Sequence, residues 1–149
     1  MGLFEKKGWY RLALPEGWEA DSTEDPVAIA RPDGTGALQV TAQTPRALKP
    51  GDRIDVLLMM RSFLKGIGVD SRKVRLTRFE RGNLEWAAGE YVGDDPQGGK
   101  ALWRLWMAAG RDVLVFVTYG CPEKDRDAER ESVDGIVASL ELCTGERPV

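Results

Sequence analysis

Hydrophobic residues along this chain fall into short runs separated by Gly, Pro and charged turns. The densest lies at Ala101–Tyr119, ALWRLWMAAGRDVLVFVTY. Two apolar runs, Ala101–Ala109 and Val113–Tyr119, flank Gly110-Arg111-Asp112. Runs rich in β-branched and aromatic residues around a glycine-bearing break predict a hairpin. In the second run both alternating faces are apolar, the pattern of a strand covered on each side. The hairpin is therefore expected at the centre of an antiparallel sheet with helices packed on it.

The rest of the chain supplies the other elements. Trp9–Leu14 reads as a strand stopped by Pro15-Glu16-Gly17. Val27–Arg31 and Ala37–Ala42 form a second hairpin across Pro32-Asp33-Gly34. Arg53–Gly66 carries Ile54, Leu57, Leu58, Met60, Phe63 and Leu64 at helical spacing, with Asp52 as the expected N-cap and Gly66 and Gly68 as the stop. Lys73–Glu80 and Leu84–Val92 pair around Arg81-Gly82-Asn83, and Gly93–Gly99 is a loop. Pro122–Ala138 predicts a second helix with Ala128, Val133, Ile136 and Val137 on one face, Ser139–Cys143 a last strand, and Thr144–Val149 a tail. The order β-β-β-α-β-β-β-β-α-β, without repeat or linker, predicts one α+β domain over residues 1–149: an antiparallel β-sheet with helices on its faces.

Composition narrows the chemistry. A net charge of −3 with both signs interspersed argues against nucleic-acid and anionic-membrane binding. The chain has no histidine, which removes the commonest general base and zinc ligand. Two cysteines, Cys121 and Cys143, cannot complete a four-ligand zinc site, so neither a metal nor a cofactor is expected. The start, MGLFEKKGWYRLALPEGW, lacks a signal-peptide apolar core, and no stretch reaches membrane-spanning length without charge. A cytoplasmic protein with reduced thiols is expected.

The stretch Leu12-Ala13-Leu14-Pro15-Glu16-Gly17-Trp18 resembles the strand and Leu-Pro-x-Gly-Trp start of PsbP-like proteins, the group of nuclear Ran-binding Mog proteins, plant photosystem PsbP and bacterial DcrB-type proteins. The order of elements is also similar over nearly the whole chain, to a final helix ending Ile136-Val137-Ala138-Ser139-Leu140. The resemblance implies a PsbP-like α/β/α sandwich in a cytoplasmic, bacterial-type member. It implies a family whose members bind different partners and are mostly not enzymes, and it assigns no functional residue.

Candidate residues come from the sheet faces. Pairing Val92 with Ala101, and Ala109 with Asp112, places Trp86, Ala88, Trp103, Leu105, Met107, Leu114 and Phe116 on one face. The other then carries Ala87, Gly89, Tyr91, Leu102, Arg104, Trp106, Val113, Val115, Val117 and Tyr119. Large aromatics beside Arg104 and a Gly–Ala gap could form a shallow binding groove of Tyr91, Arg104, Trp106 and Tyr119. Alternatively the second helix covers this face and Arg104 reaches its rim. A one-residue slip of register exchanges the faces. Cys121, before Pro122 at a helix start, is a candidate lowered-pKa thiol or an inert one, and a disulfide to Cys143 needs both at one sheet end. Glu90 is the best single acid candidate, or else an ion-pair partner of Arg75 or Arg104. The charged run Glu123–Glu131 reads as a solvated face. Together these predict a non-catalytic protein-binding or scaffolding module, monomeric or homodimeric. The resemblance adds a chaperone-like role for a secreted effector as a specific case, and a small-molecule carrier using the aromatic/Arg face is the alternative.

Overall fold

The computed structural model describes residues 2–23, 25–45 and 53–143. Its strands are β1 (Gly2–Lys6), β2 (Tyr10–Leu14), β3 (Glu19–Asp21), β4 (Val27–Ala30), β5 (Ala37–Gln43), β6 (Thr77–Arg81), β7 (Leu84–Asp94), β8 (Lys100–Ala109), β9 (Leu114–Pro122) and β10 (Glu141–Leu142). Its helices are α1 (Val56–Gly66) and α2 (Arg130–Ala138). Among the described residues, seven strands form one sheet in the order β3-β4-β5-β9-β8-β7-β6, and three form a second in the order β1-β2-β10. Every pairing is antiparallel. The α+β architecture expected from the sequence is present, and the Ala101–Tyr119 hairpin lies at the middle of the large sheet.

The two faces of that sheet are covered differently. On the inner face Trp86, Leu102, Trp106, Val115, Val117 and Tyr119 pack with Val133, Ile136 and Val137 of α2 and with Tyr10 and Leu12 of the small sheet. On the outer face Ala87, Leu105, Met107, Ala109 and Leu114 pack with Val56, Met60 and Leu64 of α1. Val113–Tyr119 is apolar on both faces for this reason.

Local chemistry sets the boundaries. Asp55 caps α1, its carboxylate accepting from the Leu58 amide at 3.1 Å. The helix thus starts at Val56 rather than Arg53, and Asp52 lies outside the described residues. Residues 71–73 form a 3-10 turn capped by Asp70, so the strand expected from Lys73 begins only at Thr77. Gly82 and Asn83, both with positive φ, make the turn between β6 and β7. The second helix begins at Arg130, not Pro122: Leu114–Pro122 continues as strand, and residues 123–125 form another 3-10 turn. Ala128 accordingly lies before the helix and is exposed. The strands β1 and β3, absent from the sequence reading, are short and mostly polar or exposed.

Register is the main correction. In the β7–β8 pair Val92 faces Leu102 and Gly93 faces Ala101, one residue from the expected alignment. The Asp95 amide donates to the Gly99 carbonyl at 3.0 Å, and Gly98 and Gly99 take positive φ. The loop therefore closes at Asp94 and Lys100, whose side chains pair at 2.7 Å. The slip turns β7 over relative to β8. In the β8–β9 pair Ala109 faces Leu114, two residues from the expected alignment, which leaves the faces of those strands as read.

Leu64 is fully buried and Leu57 half-buried. Leu64→Ala is expected to cost about 2–5 kcal/mol through a cavity, and Leu57→Ala distinctly less. Denaturant unfolding of the two variants checks this, and equal losses would mean that α1 presents a different face to the sheet.

Candidate functional site

Arg104, Trp106 and Tyr119 do share the inner face, on β8 and β9. Tyr91 does not. With the observed register it faces Trp103 across β7 and β8 on the outer face, so the four residues expected to line one groove stand on opposite sides of the sheet. The three inner residues are closed off by α2. Trp106 and Tyr119 are 7% and 1% exposed, and the Arg104 side chain is 11% exposed.

A buried guanidinium needs counter-charge, because desolvation of an unpaired ion is costly. Glu90 stands directly opposite Arg104 across β7–β8 and pairs with it at 3.6 Å. Asp134 of α2 accepts from Arg104 Nη2 at 2.5 Å. The guanidinium lies over the Trp106 ring, 4.6 Å from its centroid, while Nη1 is buried without a partner. Arg130 joins the network through Glu90 at 3.4 Å and Asp127 at 2.9 Å. Arg104 therefore ties α2 to the sheet, and Glu90, the best acid candidate, is an ion-pair partner as its alternative reading had it.

A second network, missed in the sequence, gathers around Glu129. Its Oε1 accepts from the Tyr119 hydroxyl at 2.7 Å, the Gly36 amide at 2.9 Å and the Thr35 hydroxyl at 3.1 Å. Its Oε2 is buried with no partner, and a Cβ on Gly34 would lie 2.6 Å from it. Burial, and then the hydrogen bond to Glu129, push the Tyr119 phenol above its ordinary value of 10.0. The carboxylate pins the turn between β4 and β5 to β9 and to the start of α2. Only its location in a charged run was visible in the sequence, and such runs normally face solvent.

The thiols offer no assembled chemistry. Cys121 points into the inner core, and burial raises its pKa, the reverse of activation at a helix start. Cys143 lies beside Glu5, 3.6 Å from its carboxylate, in the small sheet. Both cysteines are free, because β10 pairs with β2 rather than extending the large sheet beside β9. Among the described residues no three His, Cys, Asp or Glu side chains converge as metal ligands.

The outer face is where surface remains open. α1 packs on β7 and β8, and Phe63 meets Phe116 of β9 edge-on at 4.4 Å. Beyond it, a row crosses the sheet through Tyr91, Trp103, Gly120, Ala37, Ala30 and Glu19. Trp103 lies across Gly120, leaving no room for a Cβ there. Ala28, Thr118 and Gln39 fill the next row. Ala37 and Gln39 are exposed, and Tyr91, Trp103, Thr118, Gly120, Ala28 and Ala30 are partly so. The result is a flat shelf of small side chains with an indole and a phenol at one margin and Glu19 and Asp21 at the other. A separate open depression at the C-terminal end of α1, lined by Arg61, Ser62, Lys65, Val69 and Asp70, touches neither network.

No family model matches the sequence, and no curated protein matches it. Solved structures similar to the chain include the following three. A protein of Bacteroides thetaiotaomicron aligns with a TM-score of 0.64 at 17% identity, over 94% of this chain and 47% of its own, so the chain spans about half its length. The cyanobacterial PsbP (CyanoP) of Synechocystis aligns with a TM-score of 0.61 at 16% identity, over 93% of this chain and 89% of its own. LpqN, involved in cell envelope biogenesis of Mycobacterium tuberculosis, aligns with a TM-score of 0.59 at 10% identity, over 89% of this chain and 82% of its own. The chain has a PsbP-like fold, and at these identities the likeness is one of fold.

Two outcomes follow from the closed inner face. Trp106→Ala is expected to destabilise the protein by about 3–5 kcal/mol. A variant of unchanged denaturation midpoint would place the indole outside the core. Because the folded state favours the neutral Tyr119 phenol, that contribution is complete below pH 10.0 and is lost as pH rises above it. Alkaline unfolding titrations should therefore be less steep for Tyr119→Phe than for the unmodified chain, while Tyr10, also raised by burial, contributes to both.

Proposed function

We propose that this protein is a non-catalytic protein-binding or scaffolding module whose contact surface is the shelf on the outer sheet face. The observation that carries the reading is the unequal covering of the sheet. The inner face, which holds the arginine and most of the buried aromatics, spends its chemistry on joining α2 to the strands. The outer face leaves apolar and small residues in the open, with Trp103 and Tyr91 beside them. Flat surfaces of this composition suit a protein partner, because aromatic residues at the margin supply contact area at low entropic cost. A chaperone-like role is the specific case in which the partner is held before export. For a small-molecule carrier, no concave site with converging polar groups occurs at the four residues first considered.

The non-catalytic part of the reading is supported by the state of the candidate groups. Glu90 is shared between two arginines, the Cys121 thiol is held protonated by burial, and Glu129 Oε1 already accepts three hydrogen bonds. General acid–base work needs a group poised near neutrality and within reach of substrate.

Two measurements test the proposal. Affinity capture from the native extract should retain a specific protein on the full chain and on Cys121→Ser, and lose it on Ala37→Arg. A captured set indifferent to Ala37→Arg would move the contact surface elsewhere. Assays on ester, phosphoester, peptide and glycoside substrates should give no turnover, and activity abolished by Glu90→Gln in a folded variant would overturn the reading.

A further inference from the structure

We infer that this chain forms a two-fold dimer through its outer sheet face, α1 of each copy seated on the shelf of the other. The inference rests on the shelf being a contact surface and names its occupant.

The first observation is the composition of α1. It opens with five consecutive apolar residues, Val56-Leu57-Leu58-Met59-Met60. Only Val56, Met60 and Leu64 are buried against the sheet, whereas Leu58 is 59% exposed and Ile67, just past the helix, 48%. Leu58 stands among Arg61, Ser62 and Lys65 on the outward side of α1, an apolar side chain away from the buried stripe. Within one copy the outward side of α1 has no cover from the sheet, which lies beneath it.

The second observation is geometric. α1 covers Ala87, Met107 and Ala109 towards one corner of the face, and the shelf lies diagonally opposite, where Gly120, Ala37 and Ala30 align. A two-fold rotation about an axis parallel to the sheet, and perpendicular to the line joining these corners, brings the two outer faces together and exchanges the corners, so ridge meets shelf twice. From β8 to β3 there are five strands, a width of about 19 Å at the usual strand spacing. That accommodates a helix of about 10–12 Å diameter with its side chains. The floor offered to it is the Trp103 ring lying across Gly120 and the alanines at 28, 30 and 37. Such an interface is isologous, the commonest kind in homo-oligomers.

The third observation is charge. α1 exposes Arg61 and Lys65, and the border of the shelf exposes Glu19 and Asp21. The same rotation brings each basic ridge towards the other copy's acidic border. Complementary rim charges of this sort fix orientation and steer encounter more than they add affinity.

Sedimentation equilibrium of the full chain across the micromolar range tests this. The unmodified protein should show twice the chain mass. Ala37→Arg on the shelf and Leu58→Glu on the ridge should each raise the dimer dissociation constant at least about tenfold while the thermal melting curve of the monomer is retained. Lys65→Glu should weaken the dimer, and adding Glu19→Lys should restore it. A monomer at every concentration, or a dimer unmoved by both Ala37→Arg and Leu58→Glu, overturns the inference. If a monomeric chain still captures another protein in an Ala37-dependent way, the second copy is the wrong occupant and the contact surface stands. If a dimer is sensitive to Leu58→Glu but not to Ala37→Arg, the ridge is in contact without the shelf, and the arrangement proposed here is wrong.

Discussion

The register between β7 and β8 decides what this molecule presents to its surroundings. Side chains alternate across a strand, so the single alignment fixed by the Asp95–Gly99 loop assigns every residue of β7 to one side or the other. With Glu90 opposite Arg104, the inner face gains the counter-charge that lets a guanidinium lie beneath α2. With Tyr91 opposite Trp103, two aromatic rings move to the outer face beside the shelf. Shifted by one residue, the pairing would put Glu90 opposite Trp103 on the outer side and leave Arg104 under the helix facing Gly89, without its cross-strand acid. The electrostatic and the steric consequences favour the same alignment, which is how natural sequences avoid competing pairings.

Much of the architecture is legible in the chain. The long apolar runs of β8 and β9, the helical stripe of α1 and the turn residues between β6 and β7 each carry a strong local signal, and they lie where that signal puts them. What is not legible is settled by contacts distant in sequence. The length of a glycine loop sets the register of its strands through backbone conformations at Gly98 and Gly99 that hydrophobic patterning does not encode. Residues 122–129 look helical in composition, yet the chain continues β9 to Pro122 and turns Glu129 inward to meet the loop between β4 and β5. That hydrogen-bonded partnership links residues 93 positions apart, and no window around Glu129 contains it.

The candidate residues divide along the same line. Arg104, Trp106 and Tyr119 share a face as the sequence suggests because the β8–β9 pairing differs from the expected one by two residues, an even shift that preserves the faces. Tyr91 was misplaced because its strand is joined by a longer, glycine-rich one. The shelf is built from what is small: Ala28, Ala30, Ala37 and Gly120 give no hydrophobic peak, and they come side by side, in two adjacent rows, only after three strands have paired. Absence of bulk over part of a sheet is a tertiary property.

The small sheet has a kinetic consequence. Its middle strand β2 pairs with β1 through a tight local turn but with β10 only once the strands and helices between them have been made and the chain has folded back, and Ser139 then locks the arrangement by accepting from the Ala13 amide at 2.8 Å. In the large sheet, the β3-β4-β5 and β6-β7-β8-β9 meanders are likewise local, and a single long-range seam, β5 against β9, joins them. Two meanders can therefore zip independently, while the seam and the β2–β10 closure carry the loop entropy that slows folding of such topologies. Until β10 arrives, β2 exposes one unpaired edge. A nascent chain waiting for β10 is thus open to pairing with another polypeptide at Tyr10 and Arg11, which β10 covers in the folded molecule.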